Sequence, residues 1–336
     1  MTLLHITNGD SAASLLEQSA VSGAVLPWRD PMHHGPFPAD LPLEALSEVR
    51  AKYLAGPDVD TEKHIDWFRF RDARLRSAQA YERVVLWFEH DLLDQLQILQ
   101  LLDWFAVQAL GDTSLELVCI DRFPGIDPFR GLGQLDSDQI GTLDAMRRAV
   151  SPNMLELASA GWSAFRSDNP RDLLVFLERD LTELPFLRPA LLRHLEEYPS
   201  AKSGLTRTEA QLLALAGDAV QSPGELFLRN MDFETALYIG DLRTFSTIAD
   251  LCAAGLLECS SGRFWYPPQS KEEVMAFREQ RLTLSALGEK VLHGDSHAFA
   301  LMDRDCWLGG VRLLTDGQIW SWDREAHDFS KHPLPS

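Results

Sequence analysis

Cysteine and basic residues are scarce in this sequence, and both shortages narrow the functions open to it. Only 4 of the 336 residues are cysteines, and no two of them form a C-x-x-C pair, which disfavours a structural zinc ribbon. The chain has 31 lysines and arginines against 50 aspartates and glutamates, a formal net charge of −19. Because nucleic acids and acidic membranes are bound by clustered basic residues, we expect neither as a partner.

Long apolar runs and targeting segments are also missing. No stretch reaches about 18 consecutive apolar residues, so we expect no membrane span. The opening segment Met1-Thr2-Leu3-Leu4-His5 has neither the basic residues nor the apolar core of a secretory signal. Together with the low cysteine content, this predicts a cytoplasmic protein with reduced thiols.

The glycine patterns of the common nucleotide-binding loops are absent as well. Gly131-Leu132-Gly133-Gln134 resembles part of a phosphate loop, but it has neither the P-loop spacing nor the dinucleotide fingerprint directly after a strand. No nicotinamide or flavin cofactor is therefore indicated. The sequence does not identify a cofactor, although it is compatible with a bound divalent metal. Redox chemistry is disfavoured relative to hydrolysis or group transfer.

Short apolar runs alternate with helical patterns in the first part of the chain. The alternation predicts an α/β domain with a parallel sheet, Rossmann-like or flavodoxin-like in type. The runs lack in/out alternation, which fits burial on both faces of the sheet. We predict strands at 2–7, 23–27, 84–88 and 115–120, with helices from Ser11 and at 43–54, 61–81 and 92–108.

Three domains are predicted along the chain: an α/β domain at 1–136, a helical extension at 137–203, and a winged-helix-like α+β domain at 204–336. In the extension, Ser151-Pro152 and Asn169-Pro170 each resemble an N-cap followed by proline at the first helical position.

Helix starts and short apolar runs define the third predicted domain. Capping boxes begin helices at Thr206 and Ser222, a third helix covers 241–254, and another covers 283–293. Strands at 256–259 and 263–266 are expected to pair through Ser261-Gly262. A last hairpin is expected between 307–314 and 318–322, around Asp316-Gly317.

Polar residues with catalytic chemistry follow three of the predicted strands. In a parallel sheet, ligands bind in the crevice beyond the carboxyl ends of the strands. If the three strands are neighbours, their terminal side chains face one crevice. The three clusters are Asn8-Gly9-Asp10-Ser11, Trp28-Arg29-Asp30 with His33, and Glu89-His90-Asp91.

The first cluster lies where a strand turns into a helix. Gly9 permits close approach by a ligand, and the helix N-terminus offers unpaired N–H groups to a phosphate or carboxylate. We assign Asn8, Gly9, Asp10 and Ser11 to substrate binding, with Asp10 also a candidate metal ligand. The alternative is that Asp10 or Ser11 only caps the helix.

The second cluster lies on a proline-rich loop. Arg29 is suited to clamping an anion and Trp28 to contacting the substrate, while Asp30 and His33 form a candidate acid/base pair. The alternative is a structural Arg29–Asp30 pair with the neighbouring histidines exposed to solvent.

The third cluster places two carboxylates beside an imidazole at a strand end. Glu89 and His90 are candidate catalytic groups, and Glu89 is also a candidate metal ligand. We interpret Asp91 as the N-cap of the next helix, with Asp94 bonding back at its N3 position. Gln95, in the first turn of that helix, is close enough to reach the crevice.

Four arginines lie on the predicted helix at 61–81, together with several aromatic residues. Because acidic residues neutralise the segment, we interpret it as a solvated helix face rather than a nucleic-acid contact. The arginines are Arg69, Arg71, Arg74 and Arg76.

These segments resemble a bacterial family of uncharacterised proteins, the domain-of-unknown-function 1835 family, which often carries a second C-terminal domain. The resemblance covers about two thirds of the chain and implies no particular activity. The matching stretches are His5 to Ser11, Leu26 to Asp30 with Gly35-Pro36, Trp87 to Asp91 with Asp94 to Leu96, Arg188 to Leu195, and Thr206 to Glu209.

The sequence therefore predicts an enzyme, a hydrolase or group transferase, acting on a small phosphorylated or nucleotide-like substrate in the crevice of the α/β domain. The alternative is a non-catalytic module that senses a ligand and signals to a protein partner through the C-terminal domain. A homo-oligomer is compatible with either interpretation.

Overall fold

A computed structural model describes residues 2–55, 61–264, 266–268, 270–315 and 317–333. The chain forms two compact units. The first contains Met1–Leu191 with Trp307–Val311, and the second contains Leu192–Cys306 with Arg312–Ser336. Within the described residues, no helix is long and apolar enough to cross a membrane.

A mixed sheet forms the centre of the first unit. With the strands numbered along the chain, their order across the sheet is 2–1–4–5–6. Strands 2, 1, 4 and 5 run parallel to one another, and strand 6 is antiparallel to strand 5. The strands of this sheet are β1 (Leu3–Thr7), β2 (Ala24–Pro27), β4 (Arg83–Glu89), β5 (Ser114–Ile120) and β6 (Arg148–Ala149); the short β3 (Gly35–Pro36) belongs to another sheet.

The register aligns the carboxyl ends of the central strands. Thr7, the last residue of β1, pairs with Pro27 of β2 on one side and with Trp87 of β4 on the other. The residues that follow Thr7 and Trp87 therefore emerge at the same edge of the sheet. This alignment confirms that the sheet contains parallel strands. It also shows that the strand ends are neighbours, a condition that the sequence leaves open.

Helices cover both faces of this sheet, which explains why β4 is apolar throughout. Val85 and Trp87 pack in one cluster with Ala12 and Leu16 of the first helix, while the fourth helix packs against β4 and the sixth helix. The helices of the first unit are α1 (Asp10–Gln18), α2 (Leu43–Ala55), α3 (Thr61–Arg76), α4 (Leu92–Ala106), α5 (Ser137–Thr142), α6 (Pro152–Arg166) and α7 (Arg171–Leu177), followed by α8 (Leu187–Leu195), which leads into the second unit.

Helix starts agree with the sequence signals in most places. Ser151 caps α6 with Pro152 in its first turn, as predicted. The N-cap of α7 is Pro170 rather than Asn169, so this helix begins one residue later than expected. The Asn169 side chain accepts a hydrogen bond from the N–H of Arg171.

The second unit is helical with short antiparallel strands. Thr206 and Ser222 form the predicted capping boxes of its first two helices. Its elements are α9 (Arg207–Asp218), α10 (Pro223–Met231), α11 (Asp241–Ala253), β7 (Leu257–Cys259), α12 (Lys271–Glu279), β8 (Leu282–Leu284) and α13 (Ala286–His293).

The strand pairing in this unit corrects the predicted hairpin. Strand β7 pairs with β8 rather than with 263–266, and α12 lies between the two strands in sequence. Thr283, expected in a helix, lies in β8 because its strand partner Glu258 holds it there. Trp265 lies outside the described residues. The winged-helix prediction for this region is therefore not confirmed.

The last strands also pair differently from the prediction. The strand at 307–309 belongs to the first unit and pairs in parallel with β3. It is therefore not an arm of the expected hairpin. Residues 314–315 do pair with 318–319, although Asp316 of the predicted turn lies outside the described residues. These strands are β9 (Trp307–Gly309), β10 (Val311–Arg312), β11 (Leu314–Thr315), β12 (Gln318–Asp323) and β13 (Asp328–Pro333).

Candidate functional site

The chain reverses direction across the sheet between β1 and β4. Strand β1 has β2 on one side and β4 on the other, so the connections leaving β1 and β4 diverge to opposite sides. Crevices at such switch points are the usual ligand sites of open α/β sheets. Here the switch point brings Asn8, directly after β1, to Glu89 at the end of β4.

Three carboxylates form a buried cluster at this point. Glu89 ends β4, and Asp91 and Asp94 belong to the cap and first turn of α4. Each is at most 5% exposed, and one ligand atom from each lies within 4.8 Å of the others. This spacing suits a single divalent cation bound by three carboxylate oxygens.

Hydrogen bonds fix each carboxylate in the cluster. Asp91 accepts from the N–H of Asp94 at 2.9 Å and is the N-cap of α4, as predicted. Asp94 accepts from the N–H of Glu89 at 2.6 Å, rather than from the N-cap residue as a standard capping box would require. The side-chain amide of Asn8 donates to Asp94 at 2.9 Å and more weakly to Glu89 at 3.4 Å.

Burial disfavours the negatively charged forms of these carboxylates. Burial raises the pKa of Glu89 to about 8, with the charge of Asp91 adding to the shift and the Leu132 N–H opposing it. Burial also raises the pKa of Asp91 to about 6. The pKa of Asp94 is raised well above its usual range by burial and by both neighbours. Within the described part of the chain, no lysine or arginine pairs with these carboxylates.

The loop after β5 closes over Glu89. The N–H of Leu132 donates to the Glu89 carboxylate. Gly131 has a φ of +147°, and a Cβ there would lie 2.4 Å from Glu89 Oε1. Only glycine fits a backbone this close to a side chain in this conformation. The Gly131–Gln134 segment, which has no phosphate-loop spacing, thus forms one wall of the cluster.

The N-terminus of α1 forms the other side. Gly9 is its N-cap, and no side chain caps the helix. A Cβ on Gly9 would meet nothing within 4 Å, so space lies open above this residue. Asp10 is exposed and pairs with Arg29, which places it outside the carboxylate cluster. Ser11 is exposed, and its Oγ would lie 2.9 Å from a Cβ on Gly133.

Arg29 links the ends of β1 and β2. Its N–H donates to the carbonyl of Asn8 at 3.1 Å, and its Nε donates to Asp10 Oδ1 at 2.7 Å. Its φ of +48° is a conformation that residues other than glycine rarely adopt. The guanidinium carbon lies 3.8 Å from the ring centre of Trp67.

Trp28 and Asp30 lie in the core beneath this edge. The Trp28 indole N–H donates to Gln100 Oε1 at 2.8 Å. Asp30 forms a fully buried ion pair with Arg50, at 2.7 Å between Oδ1 and Nη2. Both side chains therefore have structural partners. His33 is partly exposed, with its ring centre 4.8 Å from that of His34.

Arg71 corrects the prediction of a solvated arginine face on α3. It is fully buried, pairs with Asp72 at 2.8 Å and lies over the ring of Trp28 at 3.9 Å. Arg69, by contrast, has a side chain that is 62% exposed, as the prediction requires.

The remaining predicted residues surround the cluster. Gln95 is buried, and its amide donates to the carbonyl of Glu89 at 2.7 Å, so it holds the strand end in place. The His90 ring is partly buried, with its centre 6.2 Å from both Phe129 and Phe186.

Sequence reasoning missed two parts of this site. Asp94 was interpreted only as a capping residue, although its spacing from Asp91 places both carboxylates in the first turn of one helix. Trp67 is one of the aromatic residues on the predicted helix at 61–81, which the sequence indicates as a solvated face. Nothing in the local sequence pairs it with Arg29, because that contact depends on how α3 packs.

No family model matches this sequence, and a search of curated proteins finds no match. The resemblance to the domain-of-unknown-function 1835 family therefore stays a prediction.

Proposed function

We propose that this chain is a hydrolase or group transferase that acts on a small phosphorylated or nucleotide-like substrate at the carboxyl ends of β1 and β4. A divalent cation would be held by Glu89, Asp91 and Asp94. The supporting observation is the buried carboxylate cluster at the switch point of the mixed five-stranded sheet. Burying like charges together costs free energy, so such a cluster is stable only when protons or a cation neutralise it.

The surroundings of the cluster favour a phosphorylated ligand. Magnesium is typically held by one or two carboxylates together with the phosphate oxygens of a substrate. The uncapped first turn of α1 directs free N–H groups toward the open space at Gly9, and such groups bind anions. Arg29, with a side chain that is 39% exposed, is placed to balance the remaining negative charge.

The chain's own residues would act by positioning. The Asn8 amide orients Asp94, the Gln95 amide holds the end of β4, and Leu132 orients Glu89 from the opposite wall. A divalent cation at the cluster would supply positive charge that polarises a phosphoryl oxygen. Asp10, the other predicted metal ligand, would instead compete with the substrate anion for Arg29.

Thermal unfolding tests this proposal. Magnesium or manganese chloride, with and without nucleotides and sugar phosphates, is added to the wild type and to Glu89→Gln. A ligand at 100 times its Kd adds about 2.7 kcal/mol of stability, so we expect a clear rise in Tm that Glu89→Gln loses.

Glu17→Gln is the matched control, because Glu17 is exposed on the same unit's α1. It should respond as the wild type does. A ligand-induced rise in Tm that persists in Glu89→Gln would contradict the proposed site. Phosphate release from the ligands that bind then separates an enzyme from a ligand-sensing module.

A further inference from the structure

A stack of planar side chains lies beside the proposed site. The guanidinium of Arg29 lies over Trp67 at 3.8 Å, and the rings of Trp67 and Phe70 are 5.5 Å apart with their planes inclined by 37°. Phe70 is 53% exposed, so part of its ring is accessible to a ligand. We refer to Arg29, Trp67 and Phe70 as the aromatic ledge.

Hydrogen bonds connect the ledge to the carboxylate cluster. Arg29 donates from its backbone to Asn8, and the Asn8 side chain donates to Asp94. The ledge, Asn8 and the cluster therefore follow one another along the ends of β2, β1 and β4. A ligand that lies along this edge has its charged part at the cluster and its other end at the ledge.

The chemistry of the ledge selects a flat group. Trp67 occupies one face of the Arg29 guanidinium, and arginine planes stack well on aromatic rings and nucleobases. The part of Arg29 that remains exposed, with the exposed ring of Phe70, offers planar surface for stacking. A sugar phosphate has no planar group to use this surface, whereas a nucleotide does.

We infer that the aromatic ledge binds the base of a nucleotide, so that the substrate class of the site is a nucleotide rather than a sugar phosphate. This inference rests on the proposed function for the phosphate end of the ligand. The ledge adds selectivity for the base, and Arg29 is its specificity-determining residue.

The inference is tested by comparing ribose 5-phosphate, which has no base, with nucleotides that carry a base on the same sugar phosphate. Calorimetric titration compares ribose 5-phosphate with the 5′-monophosphates of adenosine, guanosine, cytidine and uridine, each in the presence of magnesium. We expect at least one nucleotide to bind about tenfold or more tightly than ribose 5-phosphate, since stacking on one base commonly contributes that much.

Variants assign the preference to the ledge. Arg29→Lys keeps the charge but removes the planar group, and Trp67→Leu removes its support. Both should reduce the preference for the nucleotide several-fold. Trp67→Leu should leave the affinity for ribose 5-phosphate nearly unchanged, whereas Arg29→Lys is judged only by the ratio of nucleotide to ribose 5-phosphate affinity, because Arg29 also balances phosphate charge. Arg69→Lys is the matched control, because Arg69 is exposed on the same helix, and it should keep the wild-type preference.

Three results would overturn the inference. Equal binding of nucleotides and ribose 5-phosphate would remove the base site and leave the proposed function intact. A preference that survives in both Arg29→Lys and Trp67→Leu would show that the stack only stabilises α3. Binding of neither ligand class would remove this inference together with the phosphate-binding role. If nucleotides bind through the ledge but Glu89→Gln and magnesium have no effect, the proposed function fails and the base site stands.

Discussion

Two polar clusters of the first unit contain similar residues but differ in charge balance. After β2, the carboxylate of Asp30 is fully buried and pairs with the equally buried guanidinium of Arg50. After β4, Glu89, Asp91 and Asp94 are buried together. Burial raises the pKa of all three, and neighbouring carboxylates raise the pKa values of Glu89 and Asp94 further. Both clusters follow strand ends, and both carry side chains typical of catalysis.

The difference separates a structural cluster from a candidate site. A buried ion pair neutralises both charges and holds the loop to α2, so binding a further ion is not needed to stabilise it. A buried group of like charges favours binding a cation or protons, because either one lowers its free energy. Net charge after burial, rather than the number of polar residues, thus distinguishes the two.

Breaking the balanced cluster should have the largest effect on stability. Asp30→Asn leaves Arg50 buried without a counter-charge, and we expect a loss of about 3–5 kcal/mol in the free energy of unfolding. Urea denaturation measures this loss. A change below about 1 kcal/mol, as for a surface pair, would show that Arg50 finds another partner and that the comparison is wrong.

Neutralising Glu89 in the unbalanced cluster should instead increase the free energy of unfolding at alkaline pH. Burial raises the pKa of Glu89 in the folded state to about 8, from an ordinary glutamate value of 4.5. The folded state therefore binds more protons than the unfolded state, and stability falls as pH rises between those values. Without divalent cations, Glu89→Gln should remove roughly 2–4 kcal/mol of this loss between about pH 5 and about pH 8.

Denaturation curves at several pH values, in buffer with a chelator, test this effect. Glu17→Gln should show the pH dependence of the wild type. If Glu89→Gln is destabilising at alkaline pH, the carboxylate has a compensating partner and the cluster is not unbalanced.

The glycines on the two sides of the site sharpen the comparison further. Gly131→Ala forces a Cβ against Glu89 in a strained conformation, and we expect a loss of about 1–3 kcal/mol. Gly9→Ala adds a methyl group to open space, and its stability should change by less than about 0.5 kcal/mol. Thermal unfolding of the two variants side by side provides the test, and equal losses would contradict the packing described here.

The smallest effect is expected at the exposed pair between Asp10 and Arg29. Asp10→Asn should change stability by less than about 1 kcal/mol, because both side chains contact solvent. It should also strengthen phosphate binding, since Arg29 then has no competing carboxylate. Calorimetric titration with inorganic phosphate checks this, and weaker binding would mean that Asp10 itself contacts the ligand.

Local patterns in the sequence predict the central part of this architecture well. The ends of β1 and β4, the burial of both sheet faces and the cap at Asp91 all follow from short-range signals. The roles of Asp30 and Arg71 do not, because their counter-charges or stacking partners depend on how α2 and α3 pack against the loop. A lone Asp30 in a polar loop has the same appearance whether its partner is a substrate or Arg50.

The sequence also does not predict which strands pair with each other outside the central sheet. Strand β7 pairs with β8 across the intervening α12, and β9 pairs with β3, which is far away in sequence. Two-residue and three-residue strands have too little periodicity to define their partners. The Gly131–Glu89 contact joins a loop to the end of β4, and its only sequence signal is the glycine itself.

Manganese binding to the carboxylate cluster tests the central claim most directly. Calorimetric titration of Mn²⁺ is carried out on the wild type, Glu89→Gln and Glu17→Gln at neutral pH. We predict saturable binding that releases protons in the wild type and in Glu17→Gln, and that is lost in Glu89→Gln. Binding of equal strength in all three proteins, or in none, would contradict the assignment of a cation site to Glu89, Asp91 and Asp94.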